Sequence, residues 1–148
     1  MTDLQYYAKT WLNQIYIVTR RELAAKEEIQ ARLLASITSG AVDYSKDRIQ
    51  NNNPQGQEER VLSYAQATDD VEKVREKIAR LIRVRLEVIN MVPDSILRTI
   101  LIERYINQKN WKWIETTLAY SHQRMMELHL RALEDVSRFI PKEVEGYV

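Results

Sequence analysis

The sequence predicts an all-α protein, a long two-helix hairpin followed by a small three-helix domain, and three observations carry that reading. Only three glycines and three prolines interrupt 148 residues, and the stretches between them are rich in Leu, Ile, Ala, Glu, Lys, Arg and Gln, which favour helix. No alternating apolar and polar run is long enough to read as a strand. Apolar residues instead recur at spacings of three and four, the period of a helix with one buried face.

The first helix is expected over residues 4–37, capped by Asp3. Leu4, Ala8, Trp11, Ile15 and Val18 form its stripe, which falters at Glu22, where the next apolar residue is due. Residues 38–58 contain Asn51, Asn52, Asn53, Pro54 and Gly56 and are expected to be a mobile linker. Within it, Tyr44, Lys46 and Arg48 suit a phosphate or an acidic partner, beside the plainer reading of a solvated loop. A second helix is expected over 59–92, where Val71, Val74, Ile78, Leu81, Arg85, Val88 and Val92 make a heptad seam with Arg85 as its one polar member. Asp69–Lys73, Glu76–Arg80 and Arg83–Glu87 are spaced for ion pairs on the wet side. A single seam cannot bury itself. The first helix folding back, or a second copy of the chain in a homo-oligomer, must cover it.

Pro93 blocks continuation of that helix, so Pro93 to Ser95 is a sharp corner and residues 93–140 a separate domain, with a tail at 141–148. A short helix from Ile96 to Asn107 turns Leu97, Ile100, Leu101 and Tyr105 inward, and Asn107 to Asn110 form the next turn. Trp111, Ile114 and Leu118 stripe a further helix that stops near Ala119 and Tyr120. Ser121 then offers its hydroxyl to the free N–H groups of a last helix. There Met125, Leu128 and Ala132 face inward. Two short helices joined in this way, over about 20 residues, are the pattern of a helix-turn-helix.

The run from Ile114 through Leu118, Ala119, Tyr120, Ser121, Arg124 and Leu128 to Ala132 and Leu133 resembles region 4 of bacterial sigma factors. The fuller stretch, from Tyr44–Gln50 to Leu101–Ile106 and Trp111, is similar to the sigma-like phage regulators called RinA-like or ArpU-like. That resemblance implies a phage or prophage transcription regulator that binds promoter DNA and controls late genes, with host RNA polymerase as a further partner. It also implies the base readers His122, Gln123, Arg124 and Glu127. The family usually has glycine where Ala119 stands, because the turn needs a left-handed backbone.

The chemistry of these residues suits the role. Gln123 can bond adenine through two hydrogen bonds, Glu127 can accept from cytosine, and Arg124 can take guanine or a phosphate. Lys109 and Lys112 are placed for backbone phosphates, and Ser121 sits at the helix start. The plainer reading is that these are ordinary surface side chains. Met126, Leu130 and Leu133 form a second apolar stripe, which packs on the hairpin or meets a partner protein, and Trp113 points away from the Trp111 face.

Charge gives little help. Between Pro93 and Ile140, seven basic residues face six acidic ones, and the whole chain carries a formal net charge of +1. The absence of cysteine excludes disulfides and thiolate metal sites. No apolar run approaches the roughly 20 residues of a membrane span, and the start of the chain lacks a signal-peptide layout, so the bacterial host cytoplasm is expected. His122 and His129 do not form a metal-binding pair, and no glycine-rich phosphate loop is present. An enzyme is not expected, nor a cofactor. The competing reading is a helical assembly protein, such as a small terminase-like DNA-packaging subunit, whose long helices build the oligomer.

Overall fold

The computed structural model describes residues 1–42 and 54–142. All regular elements among them are helical: α1 (Asp3–Leu12), α2 (Gln14–Ile17), α3 (Ala24–Val42), α4 (Pro54–Ile89), α5 (Ser95–Leu101), α6 (Trp111–Leu118) and α7 (His122–Ser137). Wider π-type turns occupy Val18–Leu23 and Ile102–Ile106. The chain is all-α, as expected. No helix among the described residues is long and apolar enough to cross a membrane.

Two compact units divide the chain, one of Met1–Ile17 with Ile78–Val148 and the other of Val18–Lys77. Neither unit begins or ends at Pro93, where a boundary is expected. The proline bends the backbone without separating two cores. Ala8, Trp11 and Leu12 of α1 share one core with Ile89 of α4, Ile100 of α5 and Met125 and Leu133 of α7.

In the first unit, α1 begins a residue earlier than expected and stops far sooner. Thr2, not Asp3, is the N-cap. Its hydroxyl accepts from the Gln5 amide at 3.2 Å, and the Gln5 side chain accepts from the Thr2 amide at 2.8 Å. This reciprocal box contributes about 1 kcal/mol. Gln5 also donates through Nε2 to the Leu130 carbonyl at 3.1 Å, which lays α1 against α7. The buried face is therefore Gln5, Ala8, Trp11, Leu12 and Ile15, while Leu4, expected inward, is 58% exposed.

The helix breaks at Asn13, beside Arg85. That guanidinium is fully buried: Nε donates to the Trp11 carbonyl at 3.1 Å, Nη2 donates to Gln14 Oε1, and the group lies 4.3 Å from the centre of the Trp11 ring. Burial lowers its pKa to about 10, and Nη1 has no hydrogen-bond partner among the described residues. The polar member of the seam thus ties α4 to the chain around the α1–α2 break. After Pro93, Asp94 caps α5 by accepting from the amides of Ile96 at 2.8 Å and Leu97 at 3.3 Å. Leu97, Ile100, Leu101 and Tyr105 are buried, as their spacing predicts.

The second unit has a different character. Its π-type turn, Val18–Leu23, contains Glu22, where the apolar stripe falters, and the wider turn shifts the phase of the helix that follows. Glu22 pairs with Lys77 at 3.1 Å, Glu27 with Arg75 at 3.7 Å, and Gln30 donates to Thr68 at 3.0 Å, so α3 and α4 run antiparallel here. Ala67 and Val71 are buried, and Val74 only partly so. Asp69–Lys73 closes to 3.1 Å. Of the linker expected over 38–58, residues 43–53 lie outside the described residues. Residues 38–42 continue α3, and Pro54 opens α4, where a missing N–H leaves no helical bond unmade. Tyr44, Lys46 and Arg48 lie outside the described residues.

Candidate nucleic-acid interface

Two capped helices and a tight turn build the candidate surface. Asn110 caps α6, its side chain accepting from the Trp113 amide at 2.8 Å. Ala119 ends it in the left-handed region, at φ 59 and ψ 43. Alanine there is strained by about 1 kcal/mol relative to glycine, and the surrounding packing holds it. Ser121 caps α7, its hydroxyl accepting from the Arg124 amide at 3.1 Å. Ile114 on α6 and Met125, Leu128 and Ala132 on α7 are buried, as their spacing predicts.

The remaining predicted residues stand on the outer surface, several of them already paired. His122 Nδ1 lies 2.6 Å from Glu115 Oε1, which joins the start of α7 to α6. Arg124 and Glu127 form an ion pair at 3.1 Å one turn apart. Gln123 and Lys112 are exposed. Lys109 Nζ sits 4.8 Å from the centre of the Trp113 ring, and that indole is 41% exposed. Ser121 serves as a cap, so its hydroxyl is committed to the backbone.

Behind this surface lies a buried polar group. Tyr105 Oη and His129 Nε2 are 2.7 Å apart, and Trp111 meets the His129 ring edge-on with centroids 4.5 Å apart. Burial, then Lys9 and Arg104, lower the His129 pKa to about 4, so the imidazole is neutral in the fold. Burial raises the Tyr105 pKa, which keeps the phenol protonated. Arg104 lies 4.8 Å from the centre of the Trp111 ring and donates to the Lys109 carbonyl at 3.1 Å, bracing the entry to α6.

The second apolar stripe lies on α7, against which α1 packs through Gln5 and the Leu130 carbonyl. Leu133 is fully buried, and Met126 and Leu130 are half-buried. Leu133 belongs to the core of the first unit and Met126 packs against it. The sequence held one signal for where α1 begins, the Thr2 to Gln5 capping pattern. The bracing by Arg104 had no comparable signal. Among the described residues no three His, Asp or Glu side chains are grouped to hold a metal ion. Neither protein-family models, curated proteins nor solved structures provide a match to the chain.

Proposed function

We propose that the chain is a transcription regulator that binds promoter DNA through a helix-turn-helix made of α6 and α7, within a three-helix arrangement completed by α5. One observation carries this reading. A three-residue turn with Ala119 left-handed and a serine cap set α7 so that Gln123, Arg124 and Glu127 are exposed near its start, where a recognition helix meets base edges. Lys109 and Lys112, at the start of α6, would take backbone phosphates. The Arg124–Glu127 pair is exposed and holds with at most about 1 kcal/mol, so it opens readily toward bases. By the resemblance of its motif, the regulator is of the phage late-gene type and works beside host RNA polymerase.

Selection of binding sites from random duplexes tests the reading, with one enriched motif as the expected result. No enrichment at low salt would overturn it. A second reading, a DNA-packaging or other assembly subunit, is favoured by the second unit, which buries little of its own while Ile29, Leu34, Val61 and Leu62 stand exposed. A homo-oligomer through α3 and α4 would serve either reading. Mass in solution separates them, because a ring of many copies favours packaging and a monomer or dimer favours transcription.

A further inference from the structure

A polar cavity of about 290 Å³ opens in the first unit, bounded by Asn13, Tyr16, Arg104, Tyr105 and Gln108. Its size lies close to the lower end of small-molecule sites, roughly 300–1,000 Å³. We propose that it binds a small oxyanion, a carboxylate or a phosphate group, on Arg104.

The wall contains one charged side chain, Arg104, and no carboxylate. That guanidinium is half-buried and fixed from two directions, by the Trp111 ring at 4.8 Å and by the Lys109 carbonyl at 3.1 Å from Nη1. A guanidinium held so presents its other N–H groups as a rigid fork, which matches the spacing of two oxyanion oxygens. Its orientation is set before binding, so little freedom is lost on capture. Asn13 and Gln108 bring amides to the same wall, and Tyr105 closes it with a ring whose hydroxyl is engaged by His129.

The backbone around the cavity departs from regular α-helix at every lining residue except Tyr16, which lies in α2. Asn13 sits in the break between α1 and α2, Arg104 and Tyr105 lie in the π-type turn, and Gln108 has a φ of 55. Wide turns and left-handed side-chain-bearing residues persist where packing overrules them, and they gather at ligand sites. An anion on Arg104 would also touch the group that braces Trp111 and Lys109. Occupancy would then be felt at the entry to α6.

The test uses the whole chain, isotope-labelled, with NMR of the Arg104 Nε–H and the Trp111 indole N–H during titration with inorganic phosphate, with succinate and with a short duplex. Saturable shifts at both groups are expected, with Kd in about the millimolar range. Arg104→Gln, which removes the Nε–H itself, should abolish the shift at the Trp111 indole, and Asn13→Ala should weaken binding roughly fivefold, the loss of one hydrogen bond. Circular dichroism checks folding, and if Arg104→Gln does not fold, Asn13→Ala decides. The duplex arm separates the sources. Shifts from the duplex that free phosphate reverses assign the site to a DNA backbone phosphate. Saturation by free anions alone assigns it to a small effector, whether or not the chain reads DNA. Absence of saturable shifts with every probe, or equal shifts in the folded variants, would overturn the proposal.

Discussion

Replacing His129 with glutamine is expected to flatten the acid side of the stability curve. In the fold the imidazole is 5% exposed, packed between Tyr105 and Trp111, and its pKa is lowered from 6.5 to about 4. The unfolded chain therefore takes up this proton first as the pH falls. The stabilising contribution is fully present above the unfolded value of 6.5 and is lost as pH drops through the folded value of about 4. That displacement corresponds to on the order of 3 kcal/mol. Glutamine does not titrate, so His129→Gln loses about 1 kcal/mol of packing and hydrogen bonding at neutral pH, and that loss stays constant with acidity. Carboxylates titrate in both proteins and cancel in the difference. Urea unfolding followed by circular dichroism, at steps from about pH 7 to about pH 4, gives the two slopes. Equal slopes would refute the reasoning, as would an NMR titration of His129 centred near its unperturbed value.

Ala119→Gly should stabilise the chain by up to about 1 kcal/mol, because φ is 59 there, whereas Ser121→Ala should lose about 1 kcal/mol with the cap of α7. Thermal melts of both variants check the turn, and a fall in stability for the glycine variant would mean a different backbone at that position. Arg85→Ala should cost about 3 kcal/mol or more by leaving a cavity and removing a buried donor to the Trp11 carbonyl. Arg85→Met should cost clearly less, since it fills the space and removes a buried charge whose Nη1 lacks a partner. Chemical denaturation of the pair, with the order reversed, would contradict the role given to this arginine.

The C-terminal half of the fold was legible because its signals are local. Ser121, the inward faces of α5 and α7 and the stop at Ala119 each follow from residues within one or two turns. The N-terminal half was not, because its determinants are long-range. Nothing near Gln5 indicates that its side chain reaches Leu130, and nothing near Trp11 indicates that Arg85 takes its carbonyl. Periodicity alone sets Leu4 inward, while the rotation of α1 is decided by what it packs on. By sequence Pro54 reads as a breaker, although the first turn of a helix accepts proline freely. At the candidate interface the residue types were readable and their pairings only partly so. Arg124 and Glu127 are spaced for an ion pair along one face, whereas the Lys109–Trp113 contact depends on how the turn before α6 folds.

The central claim, that α7 reads sequence, is tested most directly by combining Gln123→Ala with Glu127→Ala and titrating salt on a selected duplex and on its scrambled counterpart. Both side chains are exposed, so the fold should survive. The account predicts a loss of about 1–3 kcal/mol per base contact on the selected duplex, with binding to the scrambled one unchanged or tighter as a negative charge leaves. Lys112→Ala, by contrast, should weaken both alike and lower the salt slope by about one. Equal losses on the two duplexes for the double variant, or no loss on either, would contradict the claim that this helix reads DNA.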